Sequence, residues 1–404
     1  MQVSREQPTR LRVLMYSQDG LGLGHMRRTR LIAGRLLDVH TEASILTVGD
    51  SPLENFFESP SGHDHLKLPT IVKIAPGVWR PASLGLELDD VLSMRREHIW
   101  TAISTFRPHL LLVDHMPHGA MGELLPALQR LKEQSSSTRI VLGLRDILDA
   151  PDVVRERWAQ EGAYQTIECY YDQVLVYGQR EVFDLTREYQ LPLRVMEWLH
   201  YCGYVCKPAK PCDAARIRAT YLAGAGAGAK MVLALAGGGA DGYLVMSALL
   251  DALPAIHTDH PAVAVLITGP FLPVNLRRQL QTRARNLPAR VHTAASDTLS
   301  YIEAADLVVA MAGYNTTAEI LRSGKPAILI PRAGPSAEQR IRSRLFAARG
   351  WVEMIDPVEL SGERVAAAVI EALARRDQTH PEDRPNLQGL TAAVDHLLSL
   401  LVSA

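Results

Sequence analysis

Short apolar runs that recur between helix-like segments constrain this chain more than any other feature. "LRVLMYS" (11–17), "ASILTV", "HLLLVD" (109–114), "TRIVLGLRD" and "DQVLVYG" are too short for helices and read as strands. Between them lie "HMRRTRLIAGRLLDV", a segment near 89–106, and "GELLPALQRLKEQ", all with helical spacing of apolar residues. Unbroken Val/Ile/Leu strands alternating with helices imply parallel sheets covered on both faces. The stretch from Ser51 to about Pro81, with its Pro and His residues, reads as loop.

The pattern pauses at "GYVCKPAKPCDAARI", rich in Pro and Lys, and then restarts. "KMVLALAGGG" is a strand running into glycines, with a helix following through Leu253. "AVAVLITG", "RVHTA", "ADLVVAM" and "PAILIP" continue the alternation, and "TAAVDHLLSLLVS" is an amphipathic last helix. At 404 residues the chain exceeds what one core usually supports. The expectation is α/β: two doubly wound, Rossmann-like domains facing across a cleft. They span 1–205 and 206–375, and 376–404 form a helical segment packing back across the domains.

Hydrophobic residues at 47% and charged residues at 22% are ordinary for a globular chain, and a formal charge of -1 gives no field to attract nucleic acid. "MQVSREQPTR" lacks the apolar core of a signal peptide, and no apolar run nears the roughly 20 residues of a membrane span. A cytoplasmic protein is expected. Cys202, Cys206 and Cys212 follow His200 without the CxxC spacing of structural zinc, so they read as small residues ending a domain. His63 and His65 fall in the loop-like stretch and read as a solvated turn; no DxD carboxylate pair follows a strand.

In doubly wound folds ligands bind beyond the carboxyl ends of the strands. Three places there carry polar chemistry. In "SQDGLGLGHMRR", Gly20, Gly22 and Gly24 precede His25 at a helix start, where glycines permit close backbone approach and N–H groups attract anions. Without a P-loop Lys or GxGxxG spacing, a plain tight turn stays open. Arg27, Arg28 and Arg30 oppose the helix dipole by roughly 0.3–1 kcal/mol each, which an anionic ligand would offset. Gly237, Gly238 and Gly239 open a second helix as a phosphate cradle. Third, Gly313, Asn315 and Thr316 start a helix, and Glu319 lies on its face one turn beyond Thr316. A carboxylate there would accept both hydroxyls of a ribose; a simple N-cap and a capping-box Glu are the bland alternatives.

"MAGYNTTAEI", "GKPAILIP" and "AEQ" together resemble the donor-binding signature of GT-B glycosyltransferases, "HCGWNSTLE … GVP … EQ". With "GLGLGH" and "LALAGGG", the chain looks like the MurG-like group, which contains the N-acetylglucosaminyltransferase of peptidoglycan synthesis. The resemblance covers roughly 11–34 and 230–373. It implies GT-B architecture and a nucleotide-sugar donor. Glu319 would hold the ribose, with Asn315 and Thr316 on phosphates or sugar. Glu338 and Gln339 would take sugar hydroxyls, and the backbone at Ala294 and Ala295 would face the base. Met311 stands where the small-molecule enzymes carry His and the peptidoglycan enzyme Arg. Glu338 replaces a Gln of the latter, so the sugar need not be N-acetylglucosamine.

The reaction this implies is inverting transfer from a UDP-sugar to a hydroxyl-bearing acceptor. No cofactor or metal is required, since helix N-termini would neutralise the departing diphosphate. His25 is the candidate base and Asp114 its orienting carboxylate, as in the small-molecule enzymes. His115, Arg145 and Asp146 end strands and would line an acceptor or phosphate site. A small-molecule acceptor and a lipid-linked one both stay open. The latter would bring the N-terminal domain to the inner membrane face through groups around "HMRRTR" and "PGVWRP". The rivals are a sugar-nucleotide 2-epimerase of the same fold, a non-catalytic nucleotide-sugar-binding protein, and a dinucleotide oxidoreductase. The last lacks an acidic residue ending its second strand, because Asp50 follows Gly49.

Overall fold

The computed structural model describes residues 10–18, 24–52, 59–75, 78–208, 213–295, 297–375 and 385–402. They form two compact units, one of 1–146, 151–205 and 388–404, the other of 147–150 and 206–387.

In the first unit β1 (Arg12–Ser17) leads to α1 (Gly24–Val39), followed by β2 (Ser44–Gly49), β3 (His63–Lys67), β4 (Ile71–Ala75) and β5 (Val78–Pro81). Then come α2 (Leu88–Phe106), β6 (Leu110–Asp114), α3 (Leu125–Glu133), β7 (Arg139–Arg145), α4 (Pro151–Glu161) and α5 (Ala163–Tyr170). The run closes with β8 (Gln173–Tyr177), α6 (Leu185–Glu188), α7 (Leu193–Met196) and β9 (Leu199–Tyr201). The sheet order is β3-β2-β1-β6-β7-β8-β9, with every pairing parallel. Every residue of β6 and β8 is buried, the signature of strands covered on both faces.

Two expectations for this half need correction. The stretch from Ser51 to Pro81 is not all loop: β3 extends the parallel sheet, and β4 and β5 form an antiparallel pair. His63 and His65 therefore lie on a strand. "HDHLK" hides its strand character because its polar residues find partners, His63 bonding Thr47 Oγ1 at 2.9 Å. Burial first, then the His65 and Arg30 charges, holds His63 down to about 3, so it is a neutral, packed imidazole.

The second unit contains α8 (Ala214–Leu222), β10 (Lys230–Leu235), α9 (Tyr243–Asp259), β11 (Ala262–Ile267), α10 (Val274–Ala284) and β12 (Ala289–His292). It continues with α11 (Thr298–Ala304), β13 (Leu307–Ala310), α12 (Tyr314–Ser323), β14 (Ala327–Leu329), α13 (Glu338–Ala347), β15 (Glu353–Met354) and α14 (Gly362–Ala374). Its sheet order is β12-β11-β10-β13-β14-β15, again parallel. The segment read as linker supplies α8 at its end. α9 does not stop at Leu253: Pro254 removes one backbone donor, yet the helix runs to Asp259 because Leu253 and Ile256 are fully buried in the core. The last helix, α15 (Gly389–Val402), belongs to the first unit, where it buries Leu390, Ala393, Val394 and Leu397 and packs against α1.

A buried polar network braces the first unit. Arg95 on α2 is fully buried and forks onto Glu123, Nε to Oε2 at 2.5 Å and Nη2 to Oε1 at 2.6 Å. Its Nη1 reaches Asp50 Oδ2 at 3.3 Å, and Tyr16 on β1 donates to Glu123 Oε1 at 2.6 Å. The acidic residue after β2 thus serves structure. Removing one member of such a group strands a buried charge, whereas apolar replacement of a whole pair is far milder. Arg95→Ala should lower unfolding free energy by about 3–5 kcal/mol, and Arg95→Met with Glu123→Leu by less, both read from urea denaturation.

Candidate functional site

Both sheets place their first strand centrally and send the chain to one side and then the other. The order reverses between β1 and β6 in the first unit and between β10 and β13 in the second. Such switch points open a crevice at the carboxyl ends of the two strands.

At the first, His25 stands in the opening turn of α1 and Asp114 ends β6. His25 Nδ1 lies 2.5 Å from Asp114 Oδ2. Arg28, one turn along α1, donates from Nη2 to Asp114 Oδ1 and Oδ2 at 2.8 and 2.7 Å and from Nε to Oδ1 at 3.1 Å. Arg28 Nη2 also stands 2.9 Å from His25 Nδ1; in the tautomer that donates from Nδ1 to Asp114, Nε2 carries the lone pair. Asp114 is 2% exposed. Burial alone would raise its pKa, but the Arg28 and His25 charges and their hydrogen bonds outweigh that and hold it below the ordinary carboxylate value. Arg28 lies over the Tyr177 ring at 5.3 Å. Gly143 makes room for that ring, since a Cβ there would sit 2.3 Å from the phenol oxygen.

His115 follows Asp114 with φ 73°, a conformation side chains rarely adopt. Its neighbours close a three-residue turn, Met116 N–H to Asp114 O at 2.9 Å, while its own N–H bonds Gly143 O at 2.8 Å. The ring is tilted 4.9 Å from that of His25. Burial, then the charges of Arg145, His25, Arg157 and Arg28, push its pKa well below the usual histidine range. Arg145 ends β7 and Arg27 lies on α1, both half-buried. Gly24 begins α1, and Gly22 lies outside the described residues.

At the second switch point the glycines do not open the helix directly. Gly237 to Gly239 form a turn after β10, and α9 begins only at Tyr243. Gly239, at φ 95°, approaches the next strand's end so closely that a Cβ would lie 2.1 Å from Thr268 O. A Cβ on Gly237 would lie 4.0 Å from Thr316 Oγ1, so the glycine turn faces α12. The N-cap of α12 is Gly313, which has no capping side chain. Asn315 and Thr316 are therefore second and third in the helix rather than caps, and Glu319 lies too deep for a capping box. Helix N-terminal N–H groups attract anions.

Glu319, 5% exposed, accepts from Thr298 Oγ1 at 2.8 Å, and Ala295 sits half-buried in the loop before α11. Glu338 and Gln339 begin α13, both buried. Two arginines without a sequence signal join them. Arg332 pairs with Glu338 Oε1 at 3.0 Å, and fully buried Arg342 donates to Ala312 O at 2.8 Å, just before the N-cap. Spacing could not reveal Thr298 or Arg342, which come from neighbouring helices. Among the described residues no group of three or more His, Cys, Asp or Glu is placed to hold a metal ion. Cys202, its thiol pushed up to about 12 by burial, is a packed side chain, and Cys212 lies outside the described residues.

Because Asp114 has its pKa lowered on folding, its stabilising contribution is complete above its ordinary value of 3.8 and fades as pH falls through the folded value. Urea midpoints measured from pH 6 down to about 2.5 should therefore drop more steeply below about pH 4 for the wild type than for Asp114→Asn.

Residues 233–397 match the glycosyltransferase family 28 C-terminal domain. A UDP-N-acetylglucosamine--N-acetylmuramyl-(pentapeptide) pyrophosphoryl-undecaprenol N-acetylglucosamine transferase of Sinorhizobium medicae is 34% identical over 122 residues, covering 30% of this chain and 32% of that protein. The match thus spans about a third of the relative's length. Two solved structures share the fold along nearly the whole chain. MurG of Acinetobacter baumannii has a TM-score of 0.60 at 12% identity, covering 98% of this chain and 100% of that one. A putative UDP-N-acetylglucosamine 2-epimerase of Listeria monocytogenes has a TM-score of 0.63 at 12% identity, covering 98% of each chain. Residues 233–397 thus match the glycosyltransferase family 28 C-terminal domain, and the chain has the GT-B fold.

Proposed function

We propose that this chain is an inverting, metal-independent glycosyltransferase that moves a sugar from a UDP-sugar to a hydroxyl-bearing acceptor. The observation that carries the proposal is the coincidence of the family 28 match with the geometry of the second switch point. There the glycine turn, the N-terminal turn of α12 and Glu319 belong to one unit. In this reading Glu319 takes the ribose hydroxyls, exchanging its bond from Thr298. The N–H groups behind Gly313, with Asn315 and Thr316, receive the diphosphate, and the backbone around Ala295 meets the base.

In this reading His25 is the base. His25 Nε2 removes the acceptor's hydroxyl proton while the acceptor oxygen bonds the anomeric carbon and the bond to the β-phosphate oxygen breaks. One displacement inverts that carbon. Asp114 holds the tautomer and steadies the imidazolium, and Arg28 keeps Asp114 ionised. The acceptor named for the relatives is attached through a pyrophosphate to undecaprenol. An acceptor of that kind would bring this chain to a membrane surface, and among the described residues no helix is long and apolar enough to cross one. Small-molecule acceptors fit the same chemistry.

Calorimetry with UDP, GDP and dTDP in the presence of EDTA should give binding of UDP. Glu319→Ala should weaken it roughly 10- to 100-fold, the loss of hydrogen bonds to a charged group. No binding of any nucleotide would remove this reading. Once an acceptor is found, His25→Ala should lower turnover by roughly 10²–10⁴-fold with UDP affinity unchanged. An altered sugar epimer formed from UDP-sugar alone would point to the epimerase reaction instead.

A further inference from the structure

We infer that Arg332 determines how the donor site reads its sugar, its side chain acting through Glu338, an inference that rests on the donor-site reading above. Arg332 follows β14 and holds both residues at once. Its Nη2 lies 3.0 Å from Glu338 Oε1, and its backbone N–H donates to Gln339 Oε1 at 3.1 Å. On the other side Nη1 stands 3.9 Å from Asp241 Oδ2, two residues beyond Gly239. One side chain thus spans the end of β14, the start of α13 and the turn after β10. The Arg332 side chain is 26% exposed, whereas that of Glu338 is 4% exposed. Arg332 Nε is buried and has no hydrogen-bond partner among the described residues.

Each hold has a chemical consequence. A carboxylate as buried as Glu338 needs a countercharge to stay ionised, and Arg332 provides it in one fixed orientation. The Gln339 amide cannot be flipped, because its oxygen is required by the Arg332 N–H. Its NH₂ is therefore the group left to donate. A carboxylate acceptor beside an amide donor matches two neighbouring hydroxyls of a neutral sugar, one donating and one accepting. A sugar bearing its own carboxylate would meet the like charge of Glu338. Arg332 is a positioning residue, and the donor class it sets is a neutral sugar rather than a uronic one.

The test is calorimetry on the full chain, as wild type, Arg332→Met and Arg332→Lys, with UDP, UDP-glucose, UDP-N-acetylglucosamine and UDP-glucuronate, beside thermal melts of each protein. UDP affinity should stay within about twofold across the three proteins. Affinity for the neutral UDP-sugars should fall roughly tenfold in Arg332→Met and recover in part in Arg332→Lys, the scale of one charge-assisted hydrogen bond. UDP-glucuronate should bind the wild type most weakly. Equal weakening of UDP and UDP-sugars would make Arg332 a scaffold residue and overturn the inference, as would an unchanged ratio or a wild type that prefers UDP-glucuronate. A wild type that binds UDP in none of these forms would instead remove the donor-site reading itself.

Discussion

Burial of both sheet faces is the constraint on which the rest depends. Strands such as β6 and β8, with every residue inside, have no face on which to display chemistry. Polar function is therefore forced to the strand ends, where backbone groups lose their ladder partners and helices begin. Central first strands decide which ends matter. Between β1 and β6, and again between β10 and β13, consecutive connections leave in opposite directions and open a crevice at the strand ends. His25 and Asp114 meet at the first of these points, and Gly237 and Thr316 at the second.

The two points answer different electrostatic demands. In the first unit a buried carboxylate is surrounded by cations: Arg28 and His25 bind Asp114 directly, and Arg145 and Arg157 bear on His115. The arrangement fixes one imidazole through a charged partner and keeps its neighbour neutral. In the second unit the positive end is backbone, the N-terminal turn of α12, with Arg342 bonded to Ala312 O just before it. Glu319 and Glu338 supply acceptors on either side. One unit gathers charged side chains around a carboxylate, the other sets carboxylates beside a helix start.

Much of this was legible in the sequence where local patterns carry the information. Apolar runs located the central strands; beyond them Asp114 ends β6, His25 lies in the first turn of α1, and Asn315, Thr316 and Glu319 lie on α12. Failures came where tertiary contacts override pattern. β3 is written "HDHLK", and its polarity is absorbed by Thr47 and Arg30. Pro254 reads as a stop, yet core burial carries α9 past it. The glycines after β10 read as a helix start but are needed for a turn that packs against Thr268. Thr298, Arg332 and Arg342 contact the site from other elements, and no spacing rule connects them to it.

The turn at His115 carries a consequence for how this chain drifts over generations. Its backbone is pinned in the left-handed region by bonds to Gly143 and across Asp114–Met116, so codons for Val, Ile or Thr are closed to this position whatever the side chain does. Glycine, Asn and Asp remain open to it sterically. Of the residues the backbone tolerates, only histidine places a second imidazole against His25. Lineages that change the chemistry beside His25 can therefore do so by a single replacement at 115 without rebuilding the loop.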